Sequence, residues 1–368
     1  MTQVRLADFR NYRELELEPA PGLNVFVGAN AQGKSNLLEA IAMLGTGKSF
    51  RTVRDADAVR YGAESTTISG AGHIRAGTVH LACTIAKGHR ATRKTFTLNG
   101  RPVRYSNFLG KLRVVTFVPA DLQLATGAPS QRRAFLNVAL SQEEPRYYRE
   151  LARYRKALQQ KNALLREDEC DAELLDVYDR ELIAAGTHIM LARHRFITAL
   201  AQAARAAHAR FSNGSESLGV EYVANVASGE PSPEGIEAAF EARLHHVAAS
   251  ERARGAAVAG PHRDDLGLTL DGRSLAVFGS QGQQRTAVLA LKVAEYAISR
   301  DRAEEAPLLL LDDVLSELDD ERAGAFLAGV GGYEQAFVTA THVPDALPPS
   351  ANVRRVRDAQ ILGDAIAC

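Results

Sequence analysis

The sequence predicts a mixed α/β fold: an open sheet built on short apolar strands, an antiparallel β subdomain, and an inserted α-helical lobe with a short helical hairpin. Three observations point there. Two apolar runs, at 23–27 and 308–311, have the length of buried strands, and each ends in a turn rich in Gly or Asp. Between 66 and 117, short β-rich segments alternate with turn residues such as Asn99-Gly100. From 119 to about 210 the chain becomes rich in Ala, Leu, Arg and Glu, with apolar residues at helical spacing.

In chain order, residues 4–17 alternate around a turn-prone FRNY and read as a hairpin. The strand 23–27 follows, then a glycine-containing loop and a helix over 35–44. The segments TTISGAGHI, TVHLACTIA, TFTLNGRPV and VVTFV make up one antiparallel sheet. Leu151, Tyr154, Leu158 and Leu165 mark one helix, and Asp171 caps a second reaching toward 210, so the two form an antiparallel pair. Residues 212–217 and 227–235 are polar loops. Strands at 265–270 and 274–278, a helix over 283–300, and strands at 308–311 and 336–340 complete the expected order. The ends of the chain therefore form one lobe, 1–118 with 275–368, and 119–274 forms the inserted, mainly helical lobe.

The three cysteines, Cys83, Cys170 and Cys368, lie far apart with no C-x-x-C spacing, which predicts neither a disulfide framework nor a zinc site. No apolar run approaches the ~20 residues that span a bilayer, so a cytoplasmic chain with no membrane role is expected. Formal net charge is zero, but it is segregated. No acidic residue lies between Glu64 and Asp121, a window holding Arg75, Lys87, Arg90, Arg93, Lys94, Arg101, Arg104, Lys111 and Arg113. Such a stretch suits a polyanion, and Arg90, Arg93, Lys94, Arg101 and Arg104 are the candidate contacts to nucleic-acid phosphates. No aromatic stripe predicts base stacking.

The chemistry is concentrated in three segments. GANAQGKS at 28–35 satisfies G-x-x-x-x-G-K-[ST] between a buried strand and a helix, where backbone N–H groups converge on phosphates. Gly28, Asn30, Gln32, Gly33, Lys34, Ser35 and Asn36 are the expected nucleotide-lining residues; Lys34 neutralises the β/γ charge, and the Ser35 hydroxyl suits Mg²⁺. LLLL at 308–311 delivers Asp312, a metal holder, and Asp313, a carboxylate that can polarise an attacking water. FGSQGQQR at 278–285 opens a helix with backbone donors facing an anion. GPHRDD at 260–265 holds metal-type side chains, but its two adjacent carboxylates point to opposite faces, and an ion pair with Arg263 is the expected use.

The order of phosphate loop, S-x-G-Q signature, acid-ended strand, Ser316-Glu-Leu-Asp319 and a histidine, His342, after the next strand resembles the ATP-binding-cassette head of transporters and SMC-like proteins. FRNY, GANAQGKSNLLEAI, GKSFR, GAPSQRRAFLN, GPHRDD and FGSQGQQRT, spread from residue 9 to 342 with the other motifs, resemble the RecF family of bacterial recombination-repair proteins. The resemblance implies an SMC-like P-loop ATPase in DNA repair, replication restart and the SOS response, with ATP and Mg²⁺ as cofactors. It implies a head-to-tail dimer in which Ser280, Gly282 and Gln283 touch the partner's γ-phosphate, Asp319 lies across the seam and His342 senses the γ-phosphate. Asp313, Lys34 and His342 are then the catalytic set. The implied partners are double-stranded DNA, single-strand/double-strand junctions, RecR and RecO, with RecA loaded indirectly.

Two features depart from the pattern. The acid pair is Asp-Asp rather than the Asp-Glu usual in cassette ATPases, which suits slow turnover, and Pro119-Ala120-Asp121 has Ala where glutamate is common, leaving Asp121 or Gln123 for the lobe-linking contact. A transporter nucleotide-binding subunit shares the motif order but lacks this helical insert and carries the LSGGQ spelling absent here. A small-molecule kinase or GTPase has no use for the signature and SELD segments, and an SMC protein proper needs a far longer insert.

Overall fold

The structure is a computed structural model describing residues 1–75, 77–88, 91–167, 171–229, 231–302, 305–314, 324, 326, 330–344 and 347–362. Arg90, Cys170, Asp319, the rest of the SELD segment and Cys368 lie outside the described residues. The chain gathers into two compact units: Met1–Asp121, Arg210–Gly214 and Val288–Cys368; and Leu122–Ala209 with Ser215–Ala287.

The first unit opens with β1 (Gln3–Phe9) and β2 (Tyr12–Leu17), the expected hairpin. The apolar β3 (Gly22–Val27) leads into α1 (Lys34–Thr46), which begins after Gly33 in a left-handed conformation and ends on Gly47 in another. Next come β4 (Ser65–Ile74), β5 (Gly77–Ala86), β6 (Arg93–Leu98), β7 (Arg101–Val103), the short α2 (Tyr105–Phe108) and β8 (Val114–Phe117). The β6–β7 turn is made by Asn99 and Gly100, both at positive φ as a two-residue hairpin demands. β8 departs from expectation. Read as part of the antiparallel sheet, it instead pairs parallel with a late strand of the nucleotide sheet, because VVTF is apolar on both faces and suits a sheet covered on both sides.

The second unit begins with α3 (Gln123–Thr126), α4 (Pro129–Glu143), α5 (Pro145–Leu164) and α6 (Ala172–Phe211). Asp171 caps α6 as predicted, its carboxylate accepting from the N–H groups of Glu173 and Leu174. α5 and α6 run antiparallel: Tyr147 meets Arg193, Arg153 meets Glu181, and Lys161 meets Asp179, one number rising as the other falls. The sequence reading missed the next two elements, β9 (Leu218–Val223) and α7 (Pro233–Arg254). β9 is mostly half-exposed, and α7 has little apolar periodicity. β10 (Asp265–Leu270) falls where predicted, but the expected strand at 274–278 is only β11 (Arg273–Ser274), followed by the helical turn α8 (Leu275–Phe278). β11, β10 and β9 form a small antiparallel sheet.

α9 (Gln281–Arg302) returns the chain to the first unit, followed by β12 (Leu308–Asp312), β13 (Gln335–Ala340), β14 (Asn352–Arg357) and β15 (Gln360–Leu362). The first unit thus contains an antiparallel sheet ordered β2-β1-β4-β5-β6-β7 and a mainly parallel sheet ordered β15-β14-β3-β13-β12-β8. α1 packs against both, and its Leu37, Leu38, Ile41 and Leu44 share one core with Leu6, Ile68, Phe26 and Leu310. This sets the phosphate loop at the carboxyl end of the parallel strands, the usual ligand edge of such sheets.

Candidate nucleotide-binding site

β3 and β12 are separated by β13, which pairs with both in register: Asp312 lies opposite Thr339, and Thr339 opposite Phe26. The loop after Val27 and the acids ending β12 therefore emerge at one edge, two strand spacings or about 10 Å apart at the backbone. Their charges interact. Burial lowers the proton affinity of Lys34, and the carboxylates of Asp313 and Asp312 oppose that shift without cancelling it. Lys34 is buried, and its ammonium donates to the carbonyls of Gly28 at 2.6 Å and Ala29 at 2.9 Å, so the loop already wraps its own cation.

Two glycines are required by close approach. A Cβ on Gly28 would sit 2.3 Å from the Val356 carbonyl oxygen. Gly33, at φ +112°, lies against Asn11 and the Tyr12 hydroxyl, which donates to its carbonyl at 3.1 Å. Gln32 is tied to the β14–β15 turn: its side-chain oxygen accepts from the Asp358 N–H at 2.6 Å and its carbonyl from Ala359 at 3.0 Å. A cavity of about 680 Å³ opens beside the loop, lined in part by Gly28, Ala29, Gln32, His342, Arg355 and Arg357. Lys34, Ser35 and Asn36 form the first turn of α1, and Asn30 lies in the loop before it.

The acid pair is held by a residue the sequence did not flag. Thr339, 1% exposed, donates to an Asp312 oxygen at 2.8 Å and accepts from the Asp313 N–H at 3.0 Å. Asp313 is turned out of the strand direction at φ +56°, a conformation Asp tolerates better than most residues and one concentrated at functional sites. The only sequence signal of Thr339 is a single polar residue within the otherwise apolar run 336–340. His342 is exposed just beyond β13, its Nδ1 3.0 Å from the Thr341 hydroxyl. Ser35 in the first turn of α1 and Asp312 at the end of β12 carry oxygen atoms of the kind a hard divalent cation prefers.

The family described as RecF/RecN/SMC N terminal domain matches residues 1–347. "DNA replication and repair protein RecF" of Listeria innocua is 40% identical over 346 residues, covering 93% of this chain and 92% of that protein. The chain belongs to the RecF family. A solved RecF structure described as the recombination mediator RecF-ATP in the RecFOR pathway is similar at 30% identity with a TM-score of 0.90, covering 98% of this chain and 96% of that one. The Smc head domain of Pyrococcus furiosus, at 16% identity and a TM-score of 0.55 over 98% of this chain and 94% of that one, shares the fold. The architecture is thus the RecF and SMC-head ATP-binding-cassette α/β fold.

The RecF-family stretches FRNY and GKSFR form a brace behind the loop. Arg10 makes a two-pronged bond to Glu39 of α1, which is wholly buried and also accepts from Ser49 at 2.5 Å. Asn36 donates to Asn11 at 2.7 Å and accepts from Arg51. The signature lies in the second unit, where the Ser280 Oγ accepts from the Gln283 N–H at 3.2 Å and the Gln283 oxygen accepts from the Ser280 N–H at 2.7 Å, a capping box at the start of α9. Gly282 sits between them with open space around it.

Several residues depart from their expected use. Asp264 and Asp265 do not pair with Arg263. Asp264, fully buried, binds Arg193 at 2.8 Å, and Asp265 binds Arg132 of the GAPSQRRAFLN stretch at 2.7 Å. The two carboxylates thus meet arginines from different helices, Arg193 of α6 and Arg132 of α4. Asp121 accepts from the Val118 N–H at 2.8 Å, burial raises its proton affinity and nearby Lys292 lowers it, so it serves as an internal group, whereas Gln123 is exposed. Of the basic candidates, Lys94 is engaged by Asp55 at 2.5 Å, whereas Arg93, Arg101 and Arg104 are exposed without an ion-pair partner among the described residues. Among those residues no helix is long and apolar enough to cross a membrane.

Proposed function

We infer that the chain is a slow ATPase that uses ATP to close a dimer on DNA in recombinational repair and replication restart. The carrying observation is the electrostatic convergence of Lys34 with Asp312 and Asp313 at one sheet edge. In this reading the N–H groups of the loop and Lys34 receive the β- and γ-phosphates, and Ser35 and Asp312 hold Mg²⁺. A cation held there would supply charge neutralisation to the phosphates. Asp313 orients the attacking water and His342 contacts the γ-phosphate. Ser280, Gly282 and Gln283 of one subunit close over the nucleotide of the other, with Asp319 at the seam.

ATP held between two subunits shifts the monomer–dimer equilibrium, and hydrolysis reverses it, so no mechanical stroke is required. Arg93, Arg101 and Arg104 contact duplex phosphates, supported by their exposure and by the lack of acidic partners among the described residues. Gapped junctions, RecR and RecO are the expected partners, RecA loading the outcome, and the cytoplasm the site of action.

The test is light scattering of the intact protein with and without ATP. Wild type dimerises with ATP, and Lys34→Ala does not. ATP-dependent dimers undiminished in Lys34→Ala would end the sandwich reading.

A further inference from the structure

We propose that Glu216 is a positioning residue for the signature, setting the side-chain amide of Gln283 so that it presents an N–H to the partner's nucleotide. The inference rests on the ATP-sandwich reading.

Gln283 donates from its amide nitrogen to a Glu216 carboxylate oxygen at 2.7 Å, while its amide oxygen accepts from the Ser280 N–H at 2.7 Å. These two contacts enforce one orientation. A flipped amide would set N–H against N–H and oxygen against carboxylate, losing both bonds and adding a repulsion. The amide nitrogen carries two hydrogens, and Glu216 takes one. The other remains for an acceptor such as a phosphate oxygen, which the amide oxygen could not serve.

Glu216 is itself fixed in place. The adjacent Ser217 is locked to Asp271 through two bonds, Ser217 N–H to the carboxylate at 2.9 Å and Asp271 N–H to the Ser217 carbonyl at 3.0 Å. β9 begins at Leu218, opposite Leu270 of β10. The second carboxylate oxygen of Glu216 lies 4.0 Å from Nε2 of His208, a residue with no exposed surface. A half-buried carboxylate whose chain is anchored immediately after it, and which is aimed at the signature glutamine, is built to orient it. The bond to an ionised acceptor also polarises the amide, strengthening its remaining N–H as a donor.

The test compares full-length Glu216→Ala and Glu216→Gln in ATP-dependent dimerisation and in ATP binding by the dilute monomer. Glu216→Ala is expected to raise the ATP concentration at half-dimerisation about tenfold, the loss of one charge-assisted bond. Monomer ATP affinity should be unchanged, because the phosphate loop lies in the other unit. Glu216→Gln, which can still accept through its amide oxygen, should restore dimerisation to within about threefold of wild type. Wild-type dimerisation in Glu216→Ala, or equal damage in both variants, would overturn the proposal while leaving the sandwich intact. Dimers that form in Lys34→Ala would instead remove the sandwich and this inference with it.

Discussion

The hydroxyl of Thr339 donates to Asp312 at 2.8 Å while accepting from the N–H of Asp313 at 3.0 Å. One buried side chain thus sets both acids, one through its carboxylate and one through its backbone. Thr339→Val keeps the shape but leaves an Asp312 oxygen and the Asp313 N–H without that partner, a cost of about 1–3 kcal/mol. Turnover should fall at least about tenfold with ATP affinity nearly constant, since the loop is untouched. Thr339→Ser should recover most of the rate. A Val variant with wild-type turnover in a single-turnover assay would show that Thr339 serves packing alone.

Glu39 is fully buried on α1 and faces Arg10 across a two-pronged bond. Removing Arg10 strands a buried carboxylate with only Ser49 and, at 3.9 Å, Arg51 nearby. Arg10→Ala should therefore destabilise the first unit by about 3–5 kcal/mol, whereas Arg10→Ala with Glu39→Leu should recover much of that loss. Denaturant titration reads both, and a small cost for Arg10→Ala alone would mean that Glu39 reaches solvent or another partner.

The motifs were legible because each couples local sequence to local geometry: GANAQGKS must turn and cap a helix, and LLLLDD must bury and then surface. The partners that orient them were not. Thr339 reads as one polar residue in a strand, and the clasp between Gln32 and Asp358 joins positions 326 residues apart. β8 was placed in the wrong sheet for the same reason, since its parallel pairing with β12 is encoded in no neighbouring turn. The predicted Arg263 ion pair failed because sequence adjacency was taken for contact, while Arg193 and Arg132 reach the two aspartates from separate helices.

The basic window divides by partner. Lys94 is occupied by Asp55, so Lys94→Ala should leave the salt dependence of DNA binding close to wild type. Arg93, Arg101 and Arg104 are exposed. Each one that contacts a phosphate contributes about 0.9 to the slope of log affinity against log salt, so the triple alanine variant should flatten it by up to about 2.7. An unchanged slope on duplex DNA would move the contact surface elsewhere.

His262 tests the second unit through pH. Its Nδ1 lies 2.6 Å from the Tyr154 hydroxyl and its Nε2 3.2 Å from the Ala257 carbonyl. A carbonyl can only accept, so Nε2 carries the hydrogen, and in the neutral ring Nδ1 accepts from the phenol. Burial and the neighbouring Arg263 and Arg133 lower its pKa from 6.5 to about 4, although the Ala257 carbonyl and Glu251 oppose the shift. Above pH 6.5 the ring is neutral whether folded or unfolded and adds no pH dependence. As pH falls from 6.5 toward 4 the unfolded chain takes up the proton first, so stability drops, by about 2 kcal/mol at pH 5. His262→Gln should abolish that part of the slope between pH 7 and 5, although it lowers stability at neutral pH. Denaturant midpoints of both proteins at the two pH values decide it, and parallel losses in each would assign the acid sensitivity to other groups.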